Sequence, residues 1–348
     1  MSNCGKTLWM PRCWLCLLML CLVLGTMTYI FKSSSIEVSR PVNIWRTTAM
    51  LSQENRTTAV GSQANKVSTS QYFVAYPHQY HFMLDEPHRC LQEKPFVILM
   101  IPVAPSNREA REMIRTTWGK ETTVLGQVVS HYFLLGVSKD RDVHLEEEVL
   151  EESRTHQDIL QSNFVDSYNN LTIKTMVMFE WLSSRCPNAS YAMKIDSDIF
   201  LNVQKLVGML LKAPQHLYMT GRLERDAAVL RDRTSKWFLP LSVFPESTYP
   251  IYPRGLGYVF SLDLPQKIME ASSHIKALFI EDVYVGLCMR HLGITLTDPP
   301  HNALFMDTMP YSSPSNCYWT TVITTILDSS KQLLDVWGMY QSQRQSGC

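Results

Sequence analysis

Apolar and polar positions fall into two repeating patterns over most of this chain. Residues 96–103 form an unbroken apolar run and 132–136 another, as strands covered on both faces do. Other stretches repeat at helical spacing. Residues 109–118 predict a first helix, and 143–152 an acidic one whose Glu146-Glu147-Glu148 run is a solvated face. Residues 172–184 set Ile173, Met176, Phe179 and Trp181 on one apolar side that reads as core, and Val203, Leu206, Val207 and Leu210 recur at i, i+3, i+4 and i+7. Strands alternating with helices from Pro95 onward predict an α/β domain of about 250 residues, one large domain or two fused layers. Before it, from Ser33 to about His88, Ser, Thr, Gln and Asn dominate without a sustained period, so residues 32–94 read as a stem and 95–345 as the folded domain.

The N-terminus breaks both patterns. Residues 13–31 carry no charge over 19 positions, bounded by Arg12 and Lys32. A helix of that length spans roughly 28 Å, enough for a thin bilayer, and is longer than the apolar region of a cleaved signal peptide. An uncleaved anchor is expected, with residues 1–12 as its tail. Flanking Lys6, Arg12, Lys32 and Arg40 barely set its orientation. The sequons Asn55-Arg56-Thr57, Asn170-Leu171-Thr172 and Asn188-Ala189-Ser190 all follow the span, which favours a cytosolic tail and a luminal body. Of nine cysteines, five follow the span: Cys90, Cys186, Cys288, Cys317 and Cys348. An oxidising lumen permits disulfides, and an odd count leaves at least one thiol free or bonded to another chain. Net charge is zero and Lys and Arg form no block, which argues against nucleic acid as a partner.

The chemistry concentrates at Tyr191-Ala192-Met193-Lys194-Ile195-Asp196-Ser197-Asp198-Ile199-Phe200, an apolar strand ending in two carboxylates one residue apart. Such a pair at a strand's C-terminal edge can hold a divalent cation and leave coordination positions for nucleotide phosphates, although two acids after a strand also make an ordinary turn. Glu281-Asp282 opens a further helix through Val283, Tyr284, Leu287 and Met289. There the dipole keeps a carboxylate ionised, but an aspartate is equally an N-cap.

Six segments in order carry a resemblance: Arg111-x-x-Ile114-Arg115-x-Thr117-Trp118; Asp166-x-Tyr168-x-Asn170-Leu171-Thr172-x-Lys174-Thr175; Met193-Lys194-Ile195-Asp196-Ser197-Asp198-x-Phe200; Lys236-Trp237; Gly255-x-Gly257-Tyr258-Val259; and Glu281-Asp282-Val283-Tyr284-Val285-Gly286. The chain resembles the β1,3-galactosyltransferases of the animal β1,3-glycosyltransferase family from about Pro95 to Trp337. The resemblance implies a GT-A-like nucleotide-sugar transferase domain, a Rossmann-like mixed sheet flanked by helices. It also implies an inverting transfer that needs a base for the acceptor hydroxyl and charge compensation for the leaving diphosphate. It assigns Mn²⁺ to Asp198 directly, with Asp196 nearer the ribose or the metal's water shell, and the base to Asp282, with Glu281 orienting it or contacting the acceptor. Arg111, Arg115 and Lys174, with Asp196 and Ser197, become candidates for the donor, each cation having a surface ion pair as its plain alternative. Trp237, Tyr258 and Gly257 become candidates for the acceptor side, where an aromatic face can stack on a sugar, although a Trp is more often core.

Ser197 between the two acids resembles the galactosyl-transferring branch, so UDP-galactose is the expected donor. The expected acceptor is a terminal GlcNAc, or Gal or GalNAc, on glycoprotein or glycolipid at the Golgi membrane. A β1,3-N-acetylhexosaminyltransferase is the alternative. Two departures stand out. Relatives carry a metal-ligating histidine nine residues after a cysteine, and that count from Cys317 reaches Ile326, so Asp328 or His301 substitutes, the metal is held weakly, or the chain is a pseudoenzyme. Pro253 stands where relatives commonly have cysteine, which puts a family disulfide in doubt. A plain membrane-anchored structural protein is made remote by the six ordered segments.

Overall fold

The computed structural model describes residues 69–309 and 317–348; the expected anchor and Asn55 lie outside them. In chain order the elements are β1 (Phe82–Leu84), α1 (Arg89–Glu93), β2 (Val97–Pro102), α2 (Arg108–Thr116), β3 (Thr123–Val124), β4 (Gln127–Val137), α3 (Val143–His156), β5 (Ile159–Val165), α4 (Leu171–Arg185), β6 (Tyr191–Ile195) and β7 (Ile199–Leu201). Then come α5 (Val203–Leu210), β8 (Met219–Glu224), β9 (Tyr252–Ser261), α6 (Leu264–Ser272), α7 (Glu281–His291), β10 (Phe305–Met306), α8 (Tyr318–Thr321), β11 (Thr324–Ile326) and α9 (Leu333–Gln345). The main sheet runs β1-β5-β4-β2-β6-β9-β8, with β3 on β4. Its centre, β5, β4, β2 and β6, is parallel, and β1, β9 and β8 are antiparallel additions. A smaller sheet joins β10, β11 and β7.

Strand alternation divides the core in two. On β2, Val97, Leu99 and Ile101 enter one buried cluster, with Ile114, Val149, Leu206 and Trp337 from α2, α3, α5 and α9. Ile98 and Met100 enter the other, with Phe179, Ile268 and Tyr284 from α4, α6 and α7. Every residue of β2 from Val97 to Ile101 is therefore buried, as the unbroken apolar run predicts. Side-chain caps fix where helices begin: Asn107 accepts from the Ala110 N–H at 3.2 Å for α2, and Asp142 from His144 at 3.0 Å for α3.

Boundaries differ from expectation for local reasons. The first helix stops at Thr116 because Thr117 leaves helical geometry, and a 3-10 turn at Trp118–Lys120 follows. Gly119 is required there, since an added Cβ would sit 2.7 Å from the Ile114 carbonyl oxygen. The acidic helix runs on to His156 and ends at Gln157 in the left-handed region. The stem reading fails at its C-terminal end. β1 pairs with β5, Phe73 bridges to Leu278, and Cys90 is disulfide-bonded to Cys186, so residues 69–94 belong to the fold. Scattered aromatics such as Tyr72 and Phe82 supply the anchoring that a periodic pattern would have advertised. Cys317 pairs with Cys348, leaving Cys288 as a buried free thiol, in keeping with the odd count.

Candidate active site

The chain leaves β2 toward β4 and β5 on one side and returns to β6 on the other, so the sheet's topological switch lies between β2 and β6. Ligands of open α/β sheets bind at the carboxyl ends of strands at such a point. Here β6 ends and Asp196-Ser197-Asp198 make a turn into β7, which leaves the main sheet for the small one. The apolar strand thus ends at its carboxylates, as the sequence predicts, and Ile199–Leu201 start a second strand. Backbone contacts hold the turn: the Asp196 N–H donates to the Leu256 carbonyl at 3.1 Å, and the Leu327 N–H donates to the Asp198 carbonyl at 2.9 Å.

Alternation also puts Lys194 inside. Tyr191, Met193 and Ile195 share one face of β6, so Lys194 falls on the other with Ala192, opposite Tyr258 on β9. A buried ammonium requires partners. Its Nζ donates to Asp196 Oδ1 at 2.7 Å and to the Gly255 carbonyl, and lies 3.9 Å from Glu281 Oε2. Burial depresses its pKa, but Asp196 and Glu281 outweigh burial and raise it, so the lysine stays charged.

Glu281 and Asp282 occupy the first turn of α7, whose N-cap is Ile280; Asp282 is therefore not the cap. Glu281 is only 7% exposed and its Oε1 accepts from the Tyr258 hydroxyl at 2.7 Å and the Thr175 hydroxyl at 3.0 Å. It is consumed by positioning contacts. Asp282, half-buried, accepts from its neighbour Val283 N–H at 2.8 Å and from the Gly255 N–H at 3.2 Å. Burial raises the Asp282 pKa, against the two backbone donors and Lys194; burial likewise raises Glu281, whose neighbour Asp282 adds to the effect. A carboxylate fixed in orientation yet made more basic is suited to accept a proton. Gly255 admits this geometry, since a Cβ there would stand 3.2 Å from Glu281 Oε2.

The donor-side cations are placed elsewhere. Arg111 is buried, its Nε and Nη2 paired with the Glu152 carboxylate at 2.8 and 2.6 Å and its Nη1 with the Ala104 and Pro105 carbonyls. Arg115 is spent on Asp158, Glu112 and Glu152. Every guanidinium nitrogen of the two is engaged within the protein, so they are buried structural ion pairs and neither the surface pairs nor the donor contacts expected. Lys174, also buried, donates to Asp166 at 2.7 Å and to the Val103 carbonyl at 2.9 Å, while Asp166 accepts the Gly136 N–H at 2.9 Å. It fastens the carboxyl ends of β2 and β4 beneath the site.

On the acceptor side, Tyr258 is fully buried beneath Glu281 and offers no face to a sugar. Gly257 is also buried and makes room for Met193, whose Cε would lie 3.2 Å from an added Cβ. Both residues shape the core behind the site. Trp237 is different: it is 44% exposed, and its indole N–H donates to the Tyr168 hydroxyl at 2.8 Å. Lys236 Nζ stands 5.1 Å from the Tyr168 ring centroid and 4.5 Å from that of Trp237. Burial raises the Tyr168 pKa, against the Trp237 hydrogen bond, and the charges of Asp282, Asp196 and Glu281 add to the rise. Tyr168, Thr175, Lys194 and Gly255 were not singled out from sequence as site residues. All lie inside the six segments, and Lys194 carried a signal of its own: a lysine in an apolar strand.

Asp196 is half-buried and paired with Lys194. Asp198 forms no ion pair among the described residues, and burial, then the charge of Asp196, raises its pKa. One uncompensated carboxylate beside a compensated one fits a divalent cation that takes its remaining ligands from phosphate and water. Among the described residues no group of three or more His, Cys, Asp and Glu side chains is placed to ligate a metal. Ile326 packs against the apolar core and, on the antiparallel β11–β7 ladder, pairs with Ile199, the residue after Asp198. The two substitutes do not reach it. Asp328 is exposed and bonded to Gln332, and His301 is exposed with its Nδ1 accepting from the Ala303 N–H.

A cavity of about 990 Å³ among the described residues lies away from these carboxylates, between α5 and the chain's C-terminus. It contains none of the site residues, and the geometry of the carboxylates outweighs its size as a guide to chemistry.

The family model for galactosyltransferase matches residues 109–300, a span that contains the carboxylate turn and the start of α7. The chain is 39% identical over 301 residues to human beta-1,3-galactosyltransferase 2, covering 85% of this chain and 69% of that protein. It is 38% identical over 276 residues to mouse beta-1,3-galactosyltransferase 1, covering 78% of this chain and 82% of the relative.

Proposed function

The chain belongs to the galactosyltransferase family, a hexosyltransferase assignment from which we propose that it moves galactose from UDP-galactose, with inversion, to the 3-hydroxyl of a terminal GlcNAc on a glycoprotein or glycolipid. Gal or GalNAc are the other acceptors in this reading. The observation that carries it is Asp282: a carboxylate oriented by two backbone N–H groups, beside the Glu281–Lys194–Asp196 cluster that ends in Asp198. Asp282 takes the proton of the acceptor hydroxyl as that oxygen bonds to the anomeric carbon and the bond to the diphosphate oxygen breaks, releasing UDP. Glu281, held by Tyr258, Thr175 and Lys194, keeps α7's first turn in place. Asp198, assisted by Asp196, would hold Mn²⁺, which supplies charge compensation for the leaving diphosphate. Trp237 and Tyr168 offer an exposed aromatic surface to the acceptor sugar. Ser197, between the two acids on the donor side, supports galactose over an N-acetylhexosamine.

The proposal includes a single-pass type II protein of the Golgi membrane with a luminal catalytic body. Asn188 is exposed and suits a glycan, whereas the Asn170 amide donates to the Val165 carbonyl and Thr172 of its sequon is buried. The test is transfer from UDP-galactose and UDP-GlcNAc to GlcNAc-, Gal- and GalNAc-terminated acceptors with Mn²⁺. Exclusive use of UDP-GlcNAc moves the chain to the alternative donor branch. A second reading, a metal-impaired pseudoenzyme, is favoured by isoleucine at position 326, opposite Ile199, and absence of both transfer and donor hydrolysis would establish it.

A further inference from the structure

We infer that Lys194 is a positioning residue for the transfer, tying the donor-side carboxylate Asp196 to the acceptor-side pair Glu281 and Asp282. The inference rests on the proposed function and adds to it a residue that couples the two halves of the site. Three observations carry it. Lys194 donates at once to Asp196 Oδ1, at the end of β6, and to the Gly255 carbonyl, on β9. It stands 3.9 Å from Glu281 Oε2, whose other oxygen is held by Tyr258 and Thr175. The N–H of the same Gly255 donates to Asp282 at 3.2 Å. One ammonium, 6% exposed, therefore holds the donor-side carboxylate Asp196 and bonds Gly255, the residue whose N–H holds the base, while facing the neighbouring Glu281.

An ordinary buried lysine needs one carboxylate for compensation. This one has two on separate elements plus a carbonyl, and both carboxylates border the reaction. Without it, Asp196 loses its anchor and is free to swing, and Glu281 keeps only neutral hydroxyl donors for a buried charge. The Gly255 carbonyl loses its ammonium donor, which loosens the backbone of the residue whose N–H donates to Asp282. A displacement of about 1 Å at a reacting group is worth about 10²-fold in rate.

The test is the full-length chain and its Lys194→Met variant, assayed for kcat and for the KM of UDP-galactose and of acceptor, with UDP binding in Mn²⁺ measured by titration calorimetry. The expected result is a kcat lower by about 10²-fold, with donor KM, acceptor KM and UDP dissociation constant all raised. A lysine that only stabilises the fold lowers the yield of active protein and leaves both KM values and UDP affinity at the parent's, which would overturn the inference. Should K194M not fold, K194M/E281Q removes the buried charge on both partners. Compared with E281Q alone, the double variant is expected to show weaker UDP binding, because Asp196 is unanchored; equal UDP affinity in the two overturns the coupling. Absence of transfer by the parent overturns the proposed function and this inference with it, whereas an active parent with an unaltered K194M overturns the inference alone.

Discussion

Replacing Asp282 by Asn separates a base from a structural acid, because the geometry bounds its structural cost. Asp282 accepts two backbone N–H groups, Val283 at 2.8 Å and Gly255 at 3.2 Å. An amide keeps one acceptor and turns an NH₂ toward the other donor, which costs about 1–3 kcal/mol for the group left unmatched. Against this, burial and the adjacent Glu281 already disfavour the carboxylate's charge, and a neutral amide relieves both. The net loss of fold stability is therefore expected at about 2 kcal/mol or less. Loss of proton abstraction is worth about 10²–10⁴-fold, or roughly 3–5 kcal/mol of transition-state stabilisation. The two effects separate in one preparation. Thermal unfolding and UDP titration in Mn²⁺ should stay near the parent while kcat falls by at least 10²-fold. Transfer surviving within a few-fold would refute Asp282 as the base, and since Glu281 is already bonded to Tyr258, Thr175 and Lys194, the base would then have to come from outside this pair.

Four further outcomes are expected. Arg111→Met leaves Glu152 without its bidentate partner and should cost about 3–5 kcal/mol in denaturant unfolding, with UDP affinity of the folded fraction unchanged; weakened UDP binding without loss of stability would restore Arg111 to the donor site. Ile326→His puts an imidazole opposite Ile199, one residue from Asp198, and should lower the Mn²⁺ concentration for half-maximal transfer, and an unchanged titration would show that position 326 does not complete the metal site. Burial raises the Asp158 and Glu152 pKa values, but Arg115 with His131, and Arg111 with Arg115, outweigh it and hold both carboxyls below their ordinary range. Their stabilisation is present above about pH 4 and is lost as pH falls further, so Asp158→Asn should flatten the acid limb of a stability-against-pH curve. Asp282 has the opposite sign: its raised pKa makes its charge a cost to folding that protonation relieves, yet transfer needs the ionised form, so kcat/KM should decline with falling pH before an ordinary carboxylate would titrate.

What the sequence made legible follows from how each residue is recognised. β2, β4 and β6 at the parallel centre of the sheet were visible from their apolar runs, whereas β5, with Gln161 and Ser162 among its buried positions, was not; helices such as α4 were visible because their apolar face is long. The antiparallel additions were not: β9 runs Tyr-Pro-Arg-Gly-Leu-Gly-Tyr-Val-Phe-Ser, and its glycines and proline interrupt the apolar pattern that marks a strand, although Gly257 and Gly255 are there to admit Met193 and the Glu281 carboxylate. Residues 69–94 were hidden for a related reason, since isolated aromatics and a disulfide anchor them without any period.

For the site, residue type announced the carboxylates but not their partners. A motif names Arg111, Arg115, Lys174 and Tyr258 without saying which way they face, and a diphosphate and a buried glutamate call for the same guanidinium. Only packing decides, and here it turns both arginines toward Glu152 and Asp158, and Tyr258 toward Glu281. Strand parity was the usable signal left unread. With Tyr191, Met193 and Ile195 on one face of β6, Lys194 had to enter the opposite apolar cluster, and a buried ammonium there demanded carboxylates from whatever element packed on that face. Several helices carry acids in their first turn, and it is the packing of α7 on that face of the sheet that makes Glu281 the one Lys194 meets, joining the two halves of the site.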